Sequence, residues 1–219
     1  MRPLPTQMPS LWCAQERGFA DHLDRGAPQA LATGRRSTPS LRGPERASDY
    51  PRAAWRPAAS CNHTNSNLEV SFNISKIVIH VAEGSYSGTI GWFQNCAAGS
   101  SAHYVVGRRG GVAQCVRDED IAWHAGWWAT NKHRIGTEHA GYTNNPNSFT
   151  RRMYRASARL SAPSCKKHKI PIDRKHIIGR YQVPGCSGSG GGSGCHTDPG
   201  RYWNWTKYMR LVRYYRDRL

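Results

Sequence analysis

The sequence feature that most constrains the fold is the stretch Ile77-Val-Ile79, which ends at His80. A run of residues that is apolar on both faces is typical of a strand in the middle of a sheet. A Gly-Ser pair at residues 84–85 breaks this strand, and a helix is predicted over residues 89–95. His80 is therefore expected near the carboxyl end of a core strand, as a candidate metal ligand or base. A histidine that merely satisfies a backbone group stays the alternative.

Length and charge narrow the class of protein. The 219 residues suit one domain with a real core. The formal net charge of +17 predicts attraction to a polyanion, which could be nucleic acid, an anionic membrane or a teichoic-acid-bearing wall. No apolar run is long enough to span a membrane, and the N-terminus lacks the apolar core of a secretory signal.

The composition divides the chain into two parts. Residues 1–47 are rich in Arg, Pro, Ser and Ala without a sustained period, which predicts a disordered or loosely attached leader. Residues 48–219 are expected to form the folded domain.

Cysteine usage is mixed. Seven cysteines leave at least one thiol unpaired within the chain. Cys186 and Cys195 bracket a Gly/Ser segment, and a disulfide between them is expected in an oxidising compartment. Cys115, in a predicted core strand, is expected to stay a buried thiol.

A second polar side chain lies within a predicted strand. Glu138 falls inside residues 134–142. A carboxylate in a strand is unfavourable unless it is paired, bound to a metal or catalytic. A solvated glutamate on an edge strand stays open as the alternative.

Further elements follow from periodicity. Residues 101–106 and 112–116 are predicted to form an antiparallel hairpin. Ser148 is predicted to cap a helix with a core-facing apolar stripe, which Pro163 should end. The last helix, from about residue 203, is predicted to pack by one side and to present a basic face on the other.

Six short motifs share a distinctive order and spacing. They are Ile77-Val-Ile-His80, Trp92-Phe-Gln-Asn95, Ser101-Ala-His-Tyr-Val-Val106, Ile121-Ala-Trp-His-Ala-Gly126, Ile135-Gly-Thr-Glu138, and Thr197-Asp-Pro-Gly200 followed by Tyr202-Trp-Asn-Trp205. From about Asp49 to the C-terminus, this pattern resembles the type 2 family of zinc-dependent N-acetylmuramoyl-L-alanine amidases, relatives of a phage lysozyme and the peptidoglycan recognition proteins. The resemblance implies an α/β fold with a mixed central β-sheet flanked by helices.

The resemblance also implies a site. His80 would be the first zinc ligand, Asp198 the last, Glu138 the catalytic carboxylate and His196 a basic residue that stabilises the oxyanion. Zn²⁺ held by three side chains lowers the pKa of a bound water and polarises an amide carbonyl, while a carboxylate moves the proton. The bond cleaved would join N-acetylmuramic acid to the first L-alanine of the stem peptide.

One position departs from the family pattern. Where the family has its second zinc-ligating histidine, directly after Ile-Ile-Gly, this chain has Arg180. A guanidinium cannot ligate zinc and is always charged. Candidate replacement ligands are His176, Cys195 and His196.

Two functions of different classes follow. The first is a peptidoglycan hydrolase of the amidase type with a zinc cofactor, in which His103, Trp123 and His124 contact substrate. The second is a weak or inactive peptidoglycan-binding module that has lost the metal through Arg180. Nucleic-acid binding has no motif behind it. The implied substrate places the protein outside the cell or in the wall, and we expect a monomer.

Overall fold

A central mixed β-sheet flanked by helices dominates the fold. The structure, a computed structural model, describes residues 47–66, 73–126, 128–183 and 196–219. The strands are β1 (Ala54–Trp55), β2 (His63–Thr64), β3 (Lys76–Val81), β4 (Tyr104–Val106), β5 (Val112–Gln114), β6 (Ile121–Ala122), β7 (Arg134–His139) and β8 (Ile177–Gly179). The helices are α1 (Tyr86–Phe93), α2 (Trp128–Asn131), α3 (Arg151–Lys167) and α4 (Trp205–Arg216). The expected fold class is therefore confirmed.

Six strands form the main sheet, in the order β1-β5-β4-β7-β3-β8. The β4–β5 hairpin is antiparallel, as predicted, and the other pairs are parallel. A separate small sheet pairs β2 with β6. β3 lies between β7 and β8, which explains why its sequence is apolar on both faces.

The two faces of the sheet pack against different partners. Because side chains alternate along a strand, Ile77 and Ile79 face the core that α3 and α4 cover, together with Met153 and Leu160. Val78 belongs to a separate cluster with Ala125, Ile178 and Val183. By the same alternation the next polar residue of β3, at position 80, shares the face of Val78.

The ends of α3 differ from the prediction. Thr150, not Ser148, caps the helix, since its Oγ1 accepts a hydrogen bond from Met153 N at 3.1 Å. Ser148 instead lies in a short 3-10 turn and accepts a hydrogen bond from Tyr142 N. The prediction that Pro163 ends the helix is wrong, because α3 continues to Lys167. Ser164 and Cys165, directly after the proline, are buried, and this packing offsets the lost backbone hydrogen bond.

One disulfide joins the two short 3-10 turns at Ser60–Asn62 and Cys96–Ala98. The bond links Cys61 to Cys96, whose Cα atoms are 5.5 Å apart. No motif in the sequence predicts this pairing. Cys115 is a buried free thiol, as expected, whereas the predicted Cys186–Cys195 bond lies outside the described residues.

Among the described residues, none of the helices combines the length and apolar character needed to cross a bilayer.

Loss of the disulfide should destabilise the domain. The bond closes a loop across a sequence separation of 35 residues, for which chain-entropy arguments give roughly 3–4 kcal/mol. We expect the Cys61→Ser, Cys96→Ser double variant to unfold at a lower urea concentration by about that free energy. A Cys115→Ser variant controls for the change of residue type. An unchanged midpoint in the double variant would show that the bond does not stabilise the fold.

We propose that the domain predicted over residues 48–219 folds without the leader that precedes it. The described chain is already anchored at its start: Ala47 O accepts from Arg117 Nη1 at 2.6 Å, and Asp49 Oδ2 accepts from Asp118 N at 2.9 Å. We therefore expect a chain beginning at Ala47 to melt within a few degrees of the full chain. A drop of many degrees would mean that residues 1–46 pack on the domain.

Candidate functional site

Three side chains converge where β3 and β7 end. His80 and Glu138 are register partners on these parallel strands, and His80 Nδ1 lies 3.8 Å from Glu138 Oε1. Asp198 comes from the segment between β8 and α4, and its Oδ2 lies 3.5 Å from the same nitrogen. Asp198 Oδ2 also accepts a hydrogen bond from Val81 N at 3.4 Å. Two carboxyl groups thus approach one imidazole nitrogen.

A second histidine decides which nitrogen of His80 faces them. Burial lowers the pKa of both His80 and His124 well below the ordinary value, so both rings are neutral. His124 Nε2 lies 3.4 Å from the carbonyl of Arg134, which can only accept, so His124 carries its proton there. His124 Nδ1 then accepts from His80 Nε2 at 3.1 Å. His80 Nδ1 is left with its lone pair toward the carboxyl groups, and a proton or a cation would complete that arrangement.

The two carboxyl groups have unusual titration behaviour. Burial raises the pKa of Glu138 well above its ordinary value, and the charge of Asp198 raises it further. Burial also raises the pKa of Asp198, although His196 and then Arg180 oppose the change. Glu138 Oε2 is buried and has no hydrogen-bond partner in the described part of the chain. A buried oxygen without a partner is energetically costly, and a catalytic role is one physical reason for keeping it.

A buried cation adjoins this cluster. Arg180 follows β8 directly and is only 4% exposed. Gly126, with a φ of 66°, makes room for it, because a Cβ there would lie 3.3 Å from Arg180 Nη2. After burial, the Arg180 charge is the next cause of the low pKa of His80, and it also opposes protonation of both carboxyl groups. The guanidinium therefore acts electrostatically on the whole cluster.

An open cleft of about 630 Å³ lies beside the cluster. It is lined by Tyr181, His196, Thr197, Gly200, Arg201, Trp203 and Trp205. His196 connects the cleft to the site, since its Nδ1 lies 3.9 Å from Asp198 Oδ1. Burial and then the Arg180 charge lower the pKa of His196, while Asp198 raises it. The cleft offers aromatic surface and a hydrogen-bonding imidazole next to the carboxyl groups.

Two of the three predicted substrate contacts are enclosed by protein. Both ring nitrogens of His103 bond to backbone atoms, the N of Gly136 at 3.1 Å and the O of Asp120 at 3.2 Å. His124 is held between His80 and a carbonyl, as described above. In this arrangement both rings support the site from within, and their contact with substrate stays a prediction.

The remaining predicted residues lie apart from the cluster or outside the described chain. Trp123 is partly exposed and donates from its indole N–H to Thr64 Oγ1 at 3.0 Å. His176 immediately precedes β8 and pairs with Asp173 at 2.7 Å. Because β8 runs parallel to β3, His176 lies at the amino-terminal ends of these strands. The site lies at their carboxyl ends, roughly 13 Å away along the strand. Cys195 is not among the described residues.

Sequence reasoning missed two supporting residues on β7. A Cβ added to Gly136 would lie 2.4 Å from His124 Cγ, so the glycine provides the space for that ring. His139 donates from Nδ1 to the carbonyl of His80 at 2.9 Å and accepts from Ser157 Oγ at 2.8 Å. A glycine within a strand, two residues before a buried carboxylate, was the available signal for the first. No sequence signal indicated the second.

These features define a mixed α/β protein with a buried acid–histidine site of the kind that hydrolases use. Residues 71–201 match the model of a family described as N-acetylmuramoyl-L-alanine amidase. The chain is also 33% identical over 175 residues to N-acetylmuramoyl-L-alanine amidase A of Achromobacter lyticus, a match that covers 75% of this chain and 95% of that protein. The chain therefore belongs to the N-acetylmuramoyl-L-alanine amidase family, whose members are in general zinc-dependent.

Two further comparisons concern a related amidase and a similar fold. The chain is 31% identical over 120 residues to 1,6-anhydro-N-acetylmuramyl-L-alanine amidase AmpD of Haemophilus influenzae, covering 52% of this chain and 59% of that protein. The fold is similar to the crystal structure of a selenomethionine AmpD derivative, with a TM-score of 0.56 and 20% identity. That similarity covers 74% of this chain and 94% of the other.

The residues present do not complete the zinc site that the family pattern implies. The 3.5 Å between His80 Nδ1 and Asp198 Oδ2 suits two ligands of one zinc ion bound at about 2.0–2.2 Å each. The third position, however, holds a buried guanidinium. Within the described ranges, no group of three His, Cys, Asp or Glu side chains is arranged to hold a metal.

Zinc binding should therefore be limited by Arg180. We expect Arg180→His to raise zinc affinity at least roughly ten-fold, because it adds a neutral imidazole that can coordinate zinc and removes a fixed positive charge. Arg180→Gln is the matched control, since it removes the charge without adding an imidazole donor, and it should gain less. Equilibrium dialysis against buffered zinc measures all three proteins. One tightly held zinc per chain in the unaltered protein would contradict this prediction.

Proposed function

We propose that this chain recognises peptidoglycan and hydrolyses the amide bond between N-acetylmuramic acid and the first L-alanine of the stem peptide. The observation that carries the proposal is the approach of Glu138 and Asp198 to His80 Nδ1, within 3.8 Å, in a chain of the amidase family. Both relatives above are named as amidases of a muramyl–L-alanine linkage, which supports the choice of bond.

Glu138 is the proposed proton carrier. It would take the proton of the attacking water and deliver it to the leaving amine of L-alanine. Its place at the carboxyl ends of the strands supports this role, as does its Oε2, which has no hydrogen-bond partner among the residues that the structure describes. The buried surroundings exclude bulk water from the proton transfer, which strengthens electrostatic interactions with the reacting atoms.

His196 is the proposed stabiliser of the oxyanion. It lines the cleft and lies beside Asp198, so an N–H of its ring can reach a carbonyl oxygen held there. The aromatic walls formed by Trp203 and Trp205 suit the apolar faces of a sugar or a peptide. Substrate would then lie along the cleft with its scissile amide next to Glu138.

Zn²⁺ is the cofactor that we infer from the family for full activity. His80 and Asp198 are the family ligands that this chain keeps, and Arg180 limits how tightly the ion is held. The tautomer that His124 imposes leaves the lone pair of His80 Nδ1 available to coordinate a metal ion.

The burial of Arg180 favours a second candidate function. A guanidinium at 4% exposure supplies, without a metal, a positive charge beside two buried carboxyl groups. A chain stabilised in this way would keep the cleft and bind peptidoglycan with little or no turnover. This reading makes the protein a wall-binding module of the amidase family.

The site of action that we propose is the cell wall or the extracellular space. The Cys61–Cys96 disulfide supports an oxidising compartment, and the proposed substrate lies there. We expect the protein to act as a monomer.

Hydrolysis of purified peptidoglycan tests the function. Cleavage of the proposed bond creates one new alanine amino terminus per event, which amine labelling followed by acid hydrolysis identifies. We expect the unaltered protein to release such termini slowly and Arg180→His to release them at least roughly ten-fold faster. Binding of peptidoglycan without any new alanine termini, in both proteins, would instead support the second candidate.

Glu138→Gln separates proton transfer from metal binding. In the Arg180→His background we expect it to lower the rate at least about a hundred-fold, because general acid–base catalysis contributes on that scale. Zinc content, measured on the same samples, should stay unchanged. Equal loss of zinc and activity would assign Glu138 to the metal and not to the proton.

A further inference from the structure

The outer surface of α3 and α4 carries a concentration of positive charge. The six cationic residues of α3 are Arg151, Arg152, Arg155, Arg159, Lys166 and Lys167, and the four of α4 are Lys207, Arg210, Arg213 and Arg216. Neither helix contains an aspartate or a glutamate. The two helices pack against each other, so their charges share one side of the molecule.

Little within the described chain neutralises this charge. Lys167 is the one cation of these helices that forms an ion pair there, with Asp118 at 3.1 Å. Three exposed arginines repeat every four residues on one side of α3, at positions 151, 155 and 159. The Cβ atoms of successive members are about 6 Å apart. Like charges at this spacing disfavour the helix. An anionic partner outside the chain would offset that repulsion.

Part of this positive charge lines a groove between the two helices. It has a volume of about 320 Å³ and is lined by Arg155, Arg159, Leu211, Tyr214 and Tyr215. We call it the basic groove. The guanidinium of Arg159 lies 4.9 Å from the centre of the Tyr215 ring, and that of Arg218 lies 3.6 Å from the centre of the Tyr214 ring.

The basic groove is separate from the candidate active site but connected to it by α4. The first residue of that helix, Trp205, lines the cleft beside the site, whereas Tyr214 lines the groove. The two residues are nine positions apart along the helix, a rise of roughly 13 Å. A wall polymer bound in the basic groove would therefore keep the cleft close to the cell wall. The polymer itself would not enter the cleft.

We propose that the basic groove binds a phosphodiester-linked anionic polymer of the cell wall, and thereby anchors the protein near its substrate. The proposal rests on the proposed action on peptidoglycan. Planar guanidinium groups bind phosphate through paired N–H donors, and stacking on a tyrosine leaves those donors at the ring edge available. Several arginines spaced along a helix can engage successive phosphates of one extended chain.

The groove suits a polymer without bases better than a nucleic acid. Binding of single-stranded nucleic acid relies on aromatic faces on which bases stack. Here Arg159 and Arg218 each cover a face of the groove tyrosines. Charge and hydrogen bonding are left as the main means of recognition.

Paired variants of the full chain test the proposal. Arg155→Gln with Arg159→Gln removes two charges from the groove, whereas Arg56→Gln with Lys175→Gln removes two exposed charges outside both helices. The probe is a purified poly(glycerol phosphate) chain, and affinity is measured by calorimetry across a series of salt concentrations. We expect the groove variant to bind at least roughly ten-fold more weakly, with a salt slope smaller by roughly 1.4–1.8 for the two charges removed, and the control to stay within two-fold.

Three results would overturn the proposal. Equal losses in both variants would show a diffuse charge effect and no site. No measurable binding by the unaltered protein would remove the ligand class. Tighter binding of a single-stranded oligonucleotide of matched charge, lost in the groove variant, would make the groove a nucleic-acid site. Circular dichroism and thermal melts establish that both variants are folded.

A separate measurement keeps this inference apart from the proposed function. On peptidoglycan stripped of anionic polymer, the groove variant should release alanine termini at the rate of the unaltered protein. On intact walls it should be slower. If no alanine termini appear on either material, hydrolysis fails as a function, while the polymer affinities still decide the role of the groove.

Discussion

The register between the parallel strands β3 and β7 is the constraint on which the rest of the site depends. It places His80 beside Glu138 in adjacent strands, with both side chains buried. A shift of one residue would turn one of them to the opposite face of the sheet. The apolar residues before His80 oppose such a shift, because it would expose a face that α3 and α4 now cover. The hydrophobic pattern therefore also specifies the geometry of the polar site.

A buried chain of hydrogen bonds connects that register to the helices. Its direction is determined because it ends on the carbonyl of His80, which can only accept. His139 must donate to this carbonyl, so its other nitrogen accepts from Ser157, which in turn accepts from Tyr208, and Tyr208 accepts from Ser161. Burial lowers the pKa of His139 to about 4, which keeps the ring neutral for these roles. Each group in this chain of hydrogen bonds has a partner, and the bonds hold together α3, α4 and the strand that carries the site.

Arg180 changes the charge balance of the same site. A guanidinium near two carboxyl groups offsets the cost of burying them, and it does so permanently because arginine does not lose its proton. A divalent metal would meet that fixed charge as well as a missing ligand. The substitution thus gives a physical reason for a metal centre to become weak while the surrounding fold persists. The buried charge of Arg180 is the feature of this site on which the two proposed functions differ.

Much of the protein could be predicted from local sequence. The strand that carries His80 near its end, the hairpin, the buried Cys115 and the approach of Asp198 to His80 all correspond to features of short stretches or of motif order. Strand periodicity and glycine placement act over a few residues, and they are legible without the fold. The domain boundary near residue 47 and the roles of Glu138 and His196 stay predictions.

Other features were decided only by the tertiary structure, because they depend on residues far apart in the chain. Cys61 and Cys96 pair because two short turns meet, and α3 passes Pro163 because Ser164 and Cys165, which follow it, are buried. His124 sets the tautomer of His80 across a sequence separation of 44 residues, in a space that Gly136 leaves open. The sequence by itself determined which polar groups the strands carry to the sheet edge. Packing between distant elements determined which of their nitrogen and oxygen atoms face each other, since hydrogen-bond direction and burial exist only once those elements are in contact.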